Sequence, residues 1–342
     1  MSTQVQFIEA ELSLISLPIS KSILATHGLI NLALKLWKDQ SLTDSQILER
    51  DNLRHLTSEQ DSDIEDESGP FFNISFTPNE CSIICDQTLV DSIFGPLLED
   101  IPQATVNKVT YAAIKIDGQG MDSSTQRILD LSGPISDANI PIFFLSTYFS
   151  DYMLVPFNSK DNVEQILLSN GFSFSSLENS YLGRAPTEPI HHAKCSKSCE
   201  FLPSLIDSSS ISTELILTGT RTSYDADAVE LALVRTIVDT PKFFSLTSHS
   251  NETSFVIEKE KLSQWPKDSL LGALDECFSP ILVDLRGLPT DAVGVVAAIS
   301  HTLCTNNINM SYLSTLYSSV VLISEPSTGE ALELLLNKPD NN

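Results

Sequence analysis

The chain has 342 residues, 42% of them hydrophobic and 19% charged, and 45 acids against 20 bases give a formal charge of −25. That length and composition predict a folded protein with core enough for two ordinary domains or several small ones. A surface so negative repels phosphate backbones and anionic lipid, which excludes nucleic acid and membrane surfaces as partners, and no apolar run approaches the ~18 residues of a membrane helix. Glu9 and Glu11 interrupt the first apolar stretch and no basic segment precedes it, so no secretory signal is expected. The sequons at Asn73, Asn251 and Asn309 should then stay unglycosylated, and the six cysteines read as reduced thiols. The compartment implied is cytoplasmic, with the nucleus also open to the chain.

In chain order, the near-alternation of residues 11–17 predicts a strand, and Ile23, Leu24, Leu29, Leu32 and Leu36 mark an apolar helix face over 22–37. Two strands follow at 71–76 and 81–85, joined by a Thr-Pro-Asn-Glu turn, then a helix over 88–98. This is unit A. Unit B repeats it, with a strand at 109–117, a helix at 123–138, a hairpin of 140–146 with 152–156, a helix at 162–169 and a last strand at 172–175. Unit A′ has a strand at 213–218, a helix at 225–238 and a hairpin of 243–247 with 254–258. Unit B′ has a strand at 280–285, a helix at 290–304, a hairpin of 309–315 with 320–324 and a helix at 328–336. The expected class is α+β, each unit a split-βαβ sandwich with one antiparallel sheet and two helices on one face.

Two markers show that the four units are a duplicated pair. Residues 139–155 (Asn-Ile-Pro-Ile-Phe-Phe-Leu-Ser-Thr onward) return at 307–323 (Asn-Ile-Asn-Met-Ser-Tyr-Leu-Ser-Thr onward) at an ungapped offset of 168, the difference 307 − 139. Phe71-Phe72 with Asn79-Glu80-x-Ser82 returns as Phe243-Phe244 with Asn251-Glu252-x-Ser254 at an offset of 172, the difference 243 − 71. Markers repeating in the order A, B, A′, B′ require a duplicated two-unit module. The boundaries drawn are 7–100 for A (with an acidic insertion at 39–69), 107–176 for B, 212–270 for A′ and 278–338 for B′, with a Ser-rich linker at 177–211.

Few residues offer chemistry. His191, His192, Cys195 and Cys199 make a ligand set that zinc accepts, but their spacing matches no known zinc pattern and they fall in the linker, so no metal and no cofactor is expected. Cys81 and Cys85 alternate with apolar residues as buried structural thiols do. His27, His249 and His301 have no nucleophile beside them in a recognisable setting, and no Gly-x-Ser-x-Gly, phosphate loop or His-Glu-x-x-His occurs, so the chain does not read as an enzyme. Ser58 and Ser62 precede acids, as acid-directed kinases require, although the same segment also reads as a plain solvating loop. Asp291-x-x-Gly294, after a strand and opening a helix, suits an N-terminal cap whose free backbone N–H groups could hold a carboxylate, although taken alone it reads first as plain helix capping.

Asp291-x-x-Gly294, together with the strand Ile308-Asn-Met-Ser-Tyr-Leu-Ser-Thr315, resembles the ACT domain, a βαββαβ regulatory module that binds amino acids between paired copies. Phe-Phe-Ser-Leu-Thr (243–247), Leu-Ser-Thr-Tyr (145–148) and Val-Gly-Val-Val (293–296), in this order, further resemble the CASTOR/GATS-like cytosolic arginine sensors, over about three-quarters of the chain. The resemblance implies four tandem ACT domains and an amino acid held between the second and the fourth. Carried over by motif, the ligand contacts fall on Pro141, Ile142, Asp291, Gly294, Thr315, Leu316 and Ser319. Ser319 and Ala292 stand where the family has acids, so arginine is a poor fit and a neutral or smaller side chain a better one. The resemblance also implies a partner surface at Tyr148, Phe149 and Asp151 for a GATOR/SEA-type complex upstream of TOR, and a homodimer through the first and third domains. The expectation is a non-catalytic amino-acid sensor; the alternatives are a ligand-free ACT-domain scaffold and a regulatory subunit of a metabolic enzyme.

Overall fold

Alternate residues of one short strand, Leu12 and Leu14 against Ile15 and Leu17, are all buried, yet the two pairs belong to different cores. Successive side chains of a strand leave opposite faces, so the sheet must be covered on both. The computed structural model describes residues 3–40, 70–101, 103–117, 123–174, 202–207, 212–221, 226–250 and 252–337. Ser58 and Ser62, His191, His192, Cys195 and Cys199, most of the acidic insertion and most of the linker lie outside the described residues.

A strand β1 (Gln4–Phe7) precedes unit A, which consists of β2 (Leu12–Pro18), α1 (Thr26–Gln40), β3 (Phe72–Phe76), β4 (Glu80–Asp86) and the helix α2 over 87–98. After β5 (Thr105–Val106), unit B has β6 (Tyr111–Asp117), α3 (Ser124–Asp137), β7 (Phe143–Ser146), β8 (Ser150–Pro156), α4 (Lys160–Ser169) and β9 (Ser173–Phe174). After β10 (Ile206–Asp207), unit A′ has β11 (Leu215–Arg221), α5 (Ala226–Val238), β12 (Phe244–His249) and β13 (Glu252–Glu258). Unit B′ has β14 (Phe278–Asp284), α6 (Val295–Thr305), β15 (Met310–Ser314), β16 (Ser318–Ser324) and α7 (Thr328–Leu336).

Each unit orders its strands first, third, second. The second strands of A and A′ pair antiparallel with Ile74 opposite Leu246, and those of B and B′ meet at Leu145 opposite Leu313. Single pairings at Leu12–Tyr111 and Leu215–Phe278 then join A to B and A′ to B′. The result is a ring of twelve strands, not four separate sheets with an open face as the sequence suggested. The inner core draws Leu14, Tyr152, Val256 and Leu322 from all four units, and the helices of A with A′ and of B with B′ cover two outer cores. An open face on such strands would expose Leu14 or Leu154, and burying a side chain of that size is worth about 2 kcal/mol, which favours closure.

Three expectations need correction. The edge beside the first strand is filled from elsewhere: β1, from in front of unit A, pairs antiparallel with β6 of unit B, and β10, from in front of A′, pairs with β14 of B′. Unit A′ follows its hairpin with short 3-10 turns at Lys259–Gln264 and Lys267–Ser269 in place of a second α-helix. Ile23 and Leu24, placed on a buried helix face by their spacing, lie in a 3-10 segment (Ile19–Ala25) ahead of α1 and are 57% and 51% exposed. The 3-10 rise and rotation shift the apolar stripe off the core.

Candidate ligand site between the second and fourth units

Units B and B′ lie side by side about a pseudo-two-fold axis. Leu145 faces Leu313 across the strands and Ser132 Oγ faces Ser300 Oγ at 3.5 Å between α3 and α6, each pair 168 residues apart. Beside this axis opens a cleft lined by the end of α3, the entry to β7, the loop before α6 and the β15–β16 turn. It holds a cavity of about 40 Å³, against the ~10–15 Å³ that one water needs on that measure. Pro141, Ile142, Gly294, Thr315, Leu316 and Ser319 line it, and none of its lining residues carries an ionisable side chain.

The loop before α6 determines what the cleft presents. Gly294, at φ 93°, is the residue before the helix, and no side chain caps the helix. Asp291 therefore does not cap α6; it sits in an exposed turn three residues upstream and does not line the cleft. The helix starts at Val295, five residues later than its pattern suggested, because Pro289 and the turn at 290–291 occupy the approach. The first-turn N–H groups of Val295, Val296 and Ala297 have no intrahelical acceptor, and these residues line the cleft, where the helix dipole favours an anion. Opposite them is Ser136, 3% exposed, whose hydroxyl is buried without a partner. A Cβ at position 294 would meet that hydroxyl at 3.1 Å. Unpartnered buried hydroxyls are uncommon in native structures and invite a ligand group.

Behind the cleft lies a carboxylate that sequence reading passed over as part of a polar turn. Glu80, 1% exposed, starts β4 of unit A and reaches across the ring to the β15–β16 turn. Its Oε1 accepts from Thr315 Oγ1 at 2.5 Å and from the Tyr317 N–H at 2.6 Å, and its Oε2 accepts from Ser16. Asn79 Nδ2 donates to Ser318 Oγ at 3.0 Å beside it. The repeated Asn-Glu at an offset of 172 marks its position in the duplication but not its partners. Burial pushes the Glu80 carboxyl above the ordinary glutamate range, against the pull of the hydroxyls of Ser16 and Thr315. A carboxyl whose folded pKa is raised stabilises fully below its unfolded value and loses that contribution as pH rises through its folded value. Glu80→Gln should therefore gain on the wild type in melting temperature as pH rises from the ordinary glutamate range towards neutrality and beyond. An unchanged difference across that range contradicts the assignment.

The twin turn in unit B is arranged differently. Asp151 is 3% exposed and accepts from Arg127 Nε at 2.8 Å and Nη2 at 2.6 Å, so it does not join Tyr148 on an exposed surface. Burial pushes its carboxyl up and the guanidinium opposes that shift. Tyr148, 37% exposed, and half-buried Phe149 pack their rings on unit A′ and the segment that follows it, where Gly219 and Gly272 leave room: a Cβ at either would come within 2.6 Å of a ring atom. The Tyr148 N–H donates to Ser254 Oγ at 3.1 Å, and Arg221 lies 5.8 Å over the Phe149 ring. Cys81 and Cys85 are buried, and burial pushes both thiols well up. Among the described residues no three His, Cys, Asp or Glu side chains gather as metal ligands, and no helix is long and apolar enough to cross a membrane.

Two of the four units match a known domain family. The ACT domain family matches residues 108–169 and 273–337, so units B and B′ are ACT domains. The chain is also 19% identical over 290 residues to the human cytosolic arginine sensor for mTORC1 subunit 1, covering 79% of this chain and 87% of that protein. It is a divergent homologue of that sensor. Among solved structures, a protein from Agobacterium tumefaciens overlaps 54% of this chain and 99% of its own at 18% identity with a TM-score of 0.31. Aspartate kinase from Synechocystis overlaps all of this chain and 57% of its own at 12% identity with a TM-score of 0.33. Overlaps of that extent carry no functional weight.

Proposed function

We propose that this chain is a non-catalytic sensor of a small neutral amino acid, held in the cleft between the second and fourth of four ACT-type units. The carrying observation is the open cleft at the uncapped start of α6, with the unpartnered Ser136 hydroxyl buried opposite. An α-carboxylate fits the first-turn N–H groups of α6. The entry to β7, at Pro141 and Ile142, and the β15–β16 turn offer backbone and hydroxyl groups to an α-amino group. With Ser319 and Ala292 in place of acids, a guanidinium or ammonium side chain would be buried without a counter-charge, at a cost of several kcal/mol. The human relative is described as an arginine sensor; the chemistry of this cleft supports a different ligand.

The proposed output is signalling to the TOR pathway through a GATOR/SEA-type complex, as a homodimer in the cytoplasm. Ligand at Thr315 would bias the Glu80 bridge to unit A, and with it the pose of the halves, provided it binds one pose more tightly. A partner surface at the unit B turn would use the exposed edge of Tyr148, against which Phe149 packs edge to face. Titration calorimetry against the twenty amino acids tests the reading: heat and a thermal shift with at least one small neutral amino acid are expected. Heat with none leaves the ligand-free scaffold, and recovery of a metabolic enzyme as the stable partner favours the regulatory subunit.

A further inference from the structure

The pseudo-two-fold axis that relates units B and B′ generates a second cleft, and the chain fills it with its own side chains. At the constant offset of 168, Ala292, Val293 and Gly294 correspond to Ser124, Thr125 and Gln126, Val295 to Arg127, and Ser319 to Asp151. On the open side these residues are too small or too apolar to bond to the entry of β7. On the twin side they close the gap. Ser124 Oγ donates to the Met310 carbonyl at 2.7 Å, while Thr125 Oγ1 donates to the Ile308 carbonyl at 2.9 Å and accepts from the Met310 N–H at 2.8 Å. The Arg127 guanidinium then lies on Asp151, the counterpart of Ser319, with two N–H groups on one carboxylate oxygen.

The geometry points to an internal ligand: the twin cleft is a guanidinium site, with Asp151 as its buried anion, occupied by this chain's own Arg127. Two observations set it apart from an ordinary surface ion pair. Asp151 is 3% exposed, so its carboxylate exists in that place for a cation delivered inside the fold. Its symmetry mate, Ser319, lines the open cleft, so the pair occupies the same place in the twin that a ligand side chain would occupy beside Ser319. The duplication therefore leaves one cleft open and the other self-filled, whether or not the open cleft is occupied. Removing the Arg127 side chain should expose a site for a free guanidinium cation.

Methylguanidinium is the probe. Arg127→Ala should melt below the wild type, and ~10 mM methylguanidinium should raise its melting temperature by at least ~2 °C while leaving the wild type unmoved against sodium chloride of equal strength. The double variant Arg127→Val with Asp151→Ser copies the open side; it should melt above Arg127→Ala and show no response to the probe. If Arg127→Ala does not fold alone, methylguanidinium present during refolding should restore soluble protein. No response of Arg127→Ala in either form, or an equal response of the double variant, overturns the inference.

Discussion

Asp151→Ala is expected to lower stability by about 3–5 kcal/mol, the cost of leaving a buried cation unpaired. Arg127 sits on α3 and Asp151 on β8 with side chains 15% and 4% exposed, so the pair is largely shielded from water. Asp151→Asn keeps the shape and one acceptor and should still lose most of that amount, because the charge is gone. A whole domain is stable by only 5–15 kcal/mol, so the alanine variant should be partly unfolded or poorly soluble at body temperature. Chemical denaturation of both variants checks the result. A loss below ~1 kcal/mol, the level of an exposed pair, would show that the Arg127–Asp151 contact opens freely to solvent.

Gly294→Val should separate stability from binding. At φ 93° a residue with a Cβ is strained, which costs about 1–2 kcal/mol. The new side chain enters the cleft at 3.1 Å from Ser136 Oγ and occupies the space in front of the α6 N–H groups. The fold should survive with a modestly lowered melting point, while affinity for the amino acid should fall at least ~100-fold, roughly 3 kcal/mol. Binding is read by calorimetry and folding by circular dichroism. Retained affinity in a folded Gly294→Val protein would move the ligand away from α6.

Much of this architecture is legible in the sequence. The offsets 168 and 172 pair Leu145 with Leu313 and Ile74 with Leu246, and those residues do face each other in the sheet. The hairpins fall near their predicted places because their apolar alternation and turn residues are strong local signals. Ring closure was not legible, since it depends on single pairings such as Leu12–Tyr111 between units that look complete alone. The exchange of β1 into unit B escaped for the same reason: four residues, Gln4–Phe7, carry no pattern that names their neighbour.

In the candidate site, position was easier to read than chemistry. The resemblance placed Pro141, Ile142, Gly294, Thr315, Leu316 and Ser319, which line one cleft, but also Asp291, which turns outward because the glycine itself begins the helix. Asp151 looked like a surface acid because Arg127, 24 residues earlier, gave no sign of reaching it. Ser136 and Glu80 were missed because an unpartnered hydroxyl and a carboxylate crossing the ring are facts of packing, which no local pattern encodes.

The open cleft and its self-filled twin make a quantitative claim about stoichiometry. Calorimetric titration of the wild-type chain with the tightest-binding small neutral amino acid tests it most directly. One equivalent per chain, abolished by Gly294→Val, is the predicted result. Two equivalents per chain, or no heat from any of the twenty amino acids, would contradict it.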